Sequence, residues 1–163
     1  MIFVALGTWG MPFARPLREI EAAATAGLLP QPIVVQCGST AFSSPHMRTV
    51  PFFDADEMAR MYDRARLVVC QAGVGSIMLG LRKRKTIIAI ARRAGHGEHI
   101  DDHQQEILGV FAKLGTVLPW KGEGDLPQVL ASSQQFVPAE YPFGQERISR
   151  TILDYLRTNV RVK

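Results

Sequence analysis

Two polar stretches, separated by a short helix and a strand, hold most of the residues of this chain whose types and spacing suit chemistry. The first is Gln71-Ala72-Gly73-Val74-Gly75-Ser76, a glycine turn between the apolar run Leu67-Val68-Val69-Cys70 and a short helix. Glycines at 73 and 75 let a ligand approach the backbone closely, and Ser76 can cap the helix or donate to an oxygen. Bare N–H groups at the positive end of a helix suit a phosphate. The same turn also serves plain strand-to-helix geometry, so on its own it fixes no ligand. The second stretch is Gly95-His96-Gly97-Glu98-His99-Ile100-Asp101-Asp102-His103-Gln104-Gln105, dense in polar and titratable groups for a connection between apolar segments. Loops held by a rigid scaffold tend to carry function.

The elements that must position these loops follow from periodicity. Apolar runs predict strands over 2–6, 32–37, 48–52, 67–70, 86–90 and 116–118. Helical spacing predicts helices over 15–28 (Leu17, Ile20, Ala24 and Leu28 inward), 57–65 (a Met58, Met61, Tyr62 and Ala65 stripe, capped by Asp54 or Asp56) and 101–114 (Ile107, Val110, Phe111 and Leu114 inward). Shorter helices are expected after the glycine turn and over 125–131, and a last one over 146–157. Strands alternating with helices imply an α/β, Rossmann-like, doubly wound parallel sheet of about six strands with right-handed crossovers. In such a sheet ligands bind beyond the carboxyl ends of the strands. Both polar stretches fall there, as does Gly7-Thr8-Trp9-Gly10 after the first strand.

Composition narrows the classes. A chain of 163 residues, 47% hydrophobic, suits a single domain over 1–163, its 146–163 helix free to contact a partner or a membrane. No apolar run approaches the roughly 20 residues that span a bilayer, and the first strand is too short and too little basic at its start for a signal peptide, so a cytosolic site is expected. Cys37 and Cys70, at strand ends, read as buried apolar groups. A formal charge of +4 points to an anionic partner, with Arg82-Lys83-Arg84-Lys85 and Arg92-Arg93 as the basic points. These suit a solvated helix end, a sugar nucleotide or an anionic membrane surface; nucleic acid is not expected, because no binding-module pattern appears. Gly73-Val74-Gly75 is followed only by Gly80, and no acid ends the next strand, which argues against a nicotinamide site. His96, His99 and His103, with Glu98, Asp101 or Asp102, raise a metal-dependent hydrolase, but no recognised zinc signature is present, so no metal is expected.

Three ordered motifs resemble the nucleotide-sugar-binding C-terminal half of family 28 glycosyltransferases. They are Ile2-Phe3-Val4-Ala5-Leu6-Gly7-Thr8, Gln71-Ala72-Gly73-Val74-Gly75-Ser76-Ile77 and Gly97-Glu98-His99-Ile100-Asp101-Asp102-His103-Gln104-Gln105-Glu106. Within the family the chain is most similar to short stand-alone catalytic subunits of two-part enzymes, of the dolichol-linked N-acetylglucosaminyl and the bacterial exopolysaccharide β-1,4-glucuronosyl types. The resemblance implies one half of an inverting, metal-independent GT-B enzyme that needs no cofactor and uses a UDP-sugar. It sets the diphosphate at Gly73, Val74, Gly75 and Ser76 with Gly7 and Thr8 alongside. It turns His103 and Gln104, the implied catalytic pair, toward the donor sugar, and adds Glu98, His99, Asp102 and Gln105 to the donor contacts. It implies a membrane-associated acceptor-binding subunit as partner, a polyprenyl-diphosphate-linked saccharide as acceptor, a role in exopolysaccharide or capsule synthesis, and a place at the inner face of the cytoplasmic membrane. Leu79 stands where many relatives carry an acid suited to the ribose, Arg84 and Thr86 where they often have Gly and Pro, and Ala91 where a Pro is frequent. Arg92 and Arg93 beside the donor loop suit a carboxylate, which favours glucuronic acid. The alternative from another class is an accessory protein with this fold and no working donor site.

Overall fold

The computed structural model describes residues 1–144, so the helix expected beyond 145 lies outside the described residues. A six-stranded sheet forms the centre, in the order β3-β2-β1-β4-β5-β6, with every neighbouring pair parallel. Its strands are β1 (Ile2–Ala5), β2 (Ile33–Gln36), β3 (Met47–Val50), β4 (Leu67–Gln71), β5 (Thr86–Ile90) and β6 (Leu118–Trp120). Because β1 pairs with both β2 and β4, the strand order reverses beside it, and a crevice opens where the loops after β1 and β4 part in opposite directions.

Two cores result from the period-2 alternation of strands buried on both faces. On one face Ile2, Val4, Val35, Val69, Ile88 and Ile90 pack against Leu17 and Ile20 of α1 (Ala14–Thr25) and Leu126 and Leu130 of α5 (Leu126–Ser133). On the other, Phe3, Ala5, Val68, Cys70, Ile87 and Ala89 meet Tyr62 of α2 (Ala55–Arg64), Ile77 and Leu81 of α3 (Val74–Arg82) and Phe111 of α4 (His103–Lys113). Cys37 and Cys70 are buried and free, and burial pushes the Cys70 thiol up to about 12. Asp54 caps α2, its side chain accepting from Glu57 N at 2.7 Å. Gly80 lets α3 close on β5, since a Cβ there would sit 2.6 Å from Ile87 Cδ1.

Several expected boundaries shift, each for a local reason. Helix α1 ends at Thr25, because Gly27 turns left-handed with φ 73°, and this leaves Leu28 52% exposed instead of inward. Helix α4 begins at His103, not 101, because the Asp101 carboxylate accepts from the His103 N–H and holds the chain short of the first turn. Its buried side is Gln104 and Phe111, with Ile107 and Leu108 beside them, while Val110 and Leu114 face outward. The last strand forms over 118–120 instead of 116–118, because Thr116 folds back to close α4, its N–H and hydroxyl both donating to Phe111 O. As an edge strand β6 tolerates Pro119. Arg84 takes a left-handed φ of 51° in the α3–β5 turn, the conformation for which a glycine would be the relaxed choice. No helix among the described residues is long and apolar enough to cross a membrane.

Candidate functional site

Three loops meet at the β1–β4 crevice, and close backbone approach explains their glycines. Gly7 has φ 79°, and a Cβ there would stand 2.1 Å from Gln71 Nε2; one on Gly73 would stand 3.1 Å from the same atom. The Gln71 amide therefore lies between the two glycine turns. Gly73 serves as N-cap of α3, no side chain caps that helix, and at Gly75 in its first turn a Cβ would meet nothing within 4 Å. Ser76 does not act as the expected cap, and its carbonyl instead accepts from the Tyr62 hydroxyl at 3.0 Å. Val74 is 51% exposed at the start of α3, and Thr8 is exposed in the turn after β1. The crevice is thus floored by open N–H groups at the positive end of a helix, an arrangement that receives an anion.

Beneath it sits a buried cation. Arg92, the second residue past β5, is 1% exposed. Its Nε donates to Gln71 Oε1 at 2.8 Å, Nη1 donates to Met11 O at 2.7 Å and Glu98 O at 3.0 Å, and Nη2 donates to Leu6 O at 2.9 Å. The guanidinium lies 4.6 Å over the Phe13 ring. Its acceptors are uncharged, and burial lowers its pKa to about 10 against the raising influence of Glu98. One side chain thereby clamps the loops after β1, β4 and β5. Because Nε–H must meet an oxygen, it also fixes the Gln71 amide with Nε2 turned toward Gly7 and Gly73.

Glu98 is buried at the same level and fully engaged: Arg15 donates to both carboxylate oxygens at 3.0 and 2.8 Å, and Arg93 N donates to Oε2 at 3.0 Å. The structure thus sets Glu98 as the anchor of the loop. Gln104 is 5% exposed, and its Oε1 accepts from Arg92 N at 3.1 Å. Asp102 is exposed and accepts from Ala94 N at 2.9 Å, bracing the short 3-10 turn over 94–96. Gln105 is exposed on the outer side of α4, beside a cleft of about 310 Å³ lined by Leu108, Trp120 and Lys121. His99 is buried and stacks on Trp9 with ring centroids 4.9 Å apart, and His103 meets it edge-on at 4.6 Å. His103 is half exposed at the rim. Its Nδ1 contacts Asp101 Oδ1, which holds the Asp101 carboxyl below its usual range.

Of the expected residues, Gly7, Gly73, Val74, Gly75, His99, His103 and Gln104 belong to the loops that meet here; Glu98 is engaged by Arg15 and Arg93 N, and Asp102 by Ala94 N. Arg92 is not free for a carboxylate, because its guanidinium is committed to carbonyls, and Arg93 pairs with Glu123 at 2.7 Å. Sequence reasoning missed the clamp on Gln71, the Arg15–Glu98 pair and the Trp9 stack. No local signal marks them, because each contact joins residues distant in the chain.

Residues 1–141 match the glycosyltransferase family 28 C-terminal domain. The chain belongs to this family. No curated protein matches it. Among solved structures it resembles the Acinetobacter baumannii MurG (19% identity, TM-score 0.53), covering 80% of this chain and 39% of that one. It resembles the glycotransferase of kitacinnamycin (18%, TM-score 0.62) over 96% of this chain and 39% of that one. The solution structure of ALG13 (18%, TM-score 0.55) is covered over 96% of both chains. The family 28 chain thus spans about two fifths of the first two structures and nearly all of the third. At these identities the likeness is one of fold, that of the C-terminal halves of GT-B glycosyltransferases.

Proposed function

We propose that this chain is the donor-binding catalytic subunit of a two-subunit, inverting glycosyltransferase that takes a sugar from a UDP-sugar. The acceptor in this reading is a polyprenyl-diphosphate-linked saccharide held by a membrane-associated partner, which supplies the other GT-B half and draws the chain to the inner membrane face. The observation that carries the reading is the convergence of the Gly7 turn, the uncapped N-terminus of α3 and the half-exposed His103 at the switch point of the sheet. Its N–H groups suit a diphosphate whose charge grows as the sugar leaves, so stabilisation would be electrostatic and greatest in the transition state. His103 at the rim is placed for the sugar, and the backbone of Gly7 and Thr8 for the phosphates. Support for a separate partner comes from exposed apolar side chains on this same edge, Trp9, Phe52, Val74 and Ile100, which suit a facing surface. A uronic acid gains nothing from Arg92, so the sugar is left to measurement.

Gly75→Asp tests the anion site without disturbing the fold. Its Cβ enters open space, and an acid in the first turn of a helix is favourable. Calorimetry with UDP, UDP-glucuronic acid and UDP-N-acetylglucosamine, on the chain alone and with its partner, should give binding that survives chelator. Gly75→Asp should weaken it more than about tenfold, because like charges oppose each other. Binding by neither form, or equal binding by both, would overturn the reading.

A further inference from the structure

His99, Asp101 and His103 alternate along the rim of the β5–α4 loop, and one ligand atom from each lies within 4.8 Å of the others. His99 Nδ1 accepts from Asp101 N at 3.3 Å, so a lone pair points that way. The same nitrogen stands 3.0 Å from Asp101 Oδ1, an acceptor-only carboxylate oxygen. His103 Nδ1 also contacts that oxygen. An imidazole proton satisfies these contacts in the metal-free chain, and a divalent cation that displaces it would take up the same lone pairs.

The geometry points to a binding site for a borderline divalent transition metal, of the zinc and cobalt class, formed by His99, Asp101 and His103. Two imidazoles and one carboxylate match that class, whereas magnesium and calcium take oxygen ligands. Part of the site is preorganised: His99 is 8% exposed and its ring is fixed by the Trp9 stack. The other side is open, with the side chains of Asp101 and His103 53% and 47% exposed, which leaves coordination positions for water or a ligand atom. The nearby N-terminus of α4 disfavours a cation, and the carboxylates of Asp101 and Asp102 oppose that.

This site goes beyond the donor reading, in which no metal takes part. One consequence rests on that reading: an ion holding His103 competes with the donor sugar, so zinc inhibits.

The test is a cobalt titration of the purified full chain, followed by visible absorption and displaced by zinc, with no nucleotide present. Failure of the donor reading therefore leaves it standing. One equivalent should bind and give visible ligand-field bands. Asp101→Asn and His103→Gln, both at exposed positions, should each weaken uptake at least about tenfold. His46→Gln and His96→Gln should leave it unchanged. No stoichiometric uptake, uptake indifferent to Asp101→Asn and His103→Gln, or uptake removed by His96→Gln would overturn the proposal.

Discussion

The loop after β5 has an inner and an outer half built on opposite terms. In the inner half Arg92 and Glu98 are buried and satisfied: Arg92 serves four acceptors on three loops, and Glu98 is held by Arg15 and by a backbone N–H. In the outer half Asp101 and His103 sit half exposed at the rim, paired chiefly with their near neighbours. Hydrogen bonds that span the fold make a scaffold, since a buried group left without its partner is costly. Short-range contacts at a surface hold side chains in place while leaving their outer faces to a ligand. A single loop thus passes from buried scaffold to exposed rim within a dozen residues.

Substitutions on the two halves should grade accordingly. Arg92→Met is expected to cost the most: it strands the carbonyls of Leu6, Met11 and Glu98 and frees Gln71, lowering the unfolding free energy by about 3 kcal/mol in a denaturant titration. A loss under about 1 kcal/mol would break the contrast outright. Glu98→Gln removes the partner of a partly buried Arg15 and should cost about 2 kcal/mol. Next, Gly7→Ala forces a side chain into a left-handed φ and against Gln71, for about 1–2 kcal/mol, and should loosen the crevice that Arg92 braces from below. Asp102→Ala gives up one exposed bond to Ala94 N and should cost less than about 1 kcal/mol.

The two halves also differ in how far sequence reveals them. The sheet was legible, because β1, β2, β4 and β5 are apolar runs separated by helical periodicity and lie where those runs are. The glycine turns and the His103-Gln104 pair were legible as motifs and fall at the expected edge. The scaffold under them was not. That Arg92 would bury beneath the crevice depends on contacts up to 86 residues away in the chain, and nothing local distinguishes a clamp from a surface cation. Glu98 shows the same limit: its partner Arg15 is 83 residues distant, so the ion pair that holds it could not be read from the loop alone. Thr116 shows the converse, a strand-like residue taken by the close of the preceding helix through a bond of short range.

The smallest expected effect on folding decides the contrast most sharply. His103 is half exposed and, among the described residues, its side chain hydrogen-bonds Asp101, two residues back, so His103→Gln should change stability by less than about 0.5 kcal/mol, read in the same titration. If the rim faces the donor sugar, that silent change should abolish most of what the sugar adds to binding. Affinity for UDP should hold, while affinity for the UDP-sugar should fall about tenfold, a difference of about 1.4 kcal/mol in calorimetry. The sign follows from placement, since the α3 N-terminus that would meet the diphosphate is untouched and only the group at the rim is altered. Equal weakening of UDP and UDP-sugar would put His103 at the phosphates and shift the reading of the rim. A stability loss above about 1 kcal/mol would make His103 part of the scaffold, which would then run through the whole loop and leave no division between its halves.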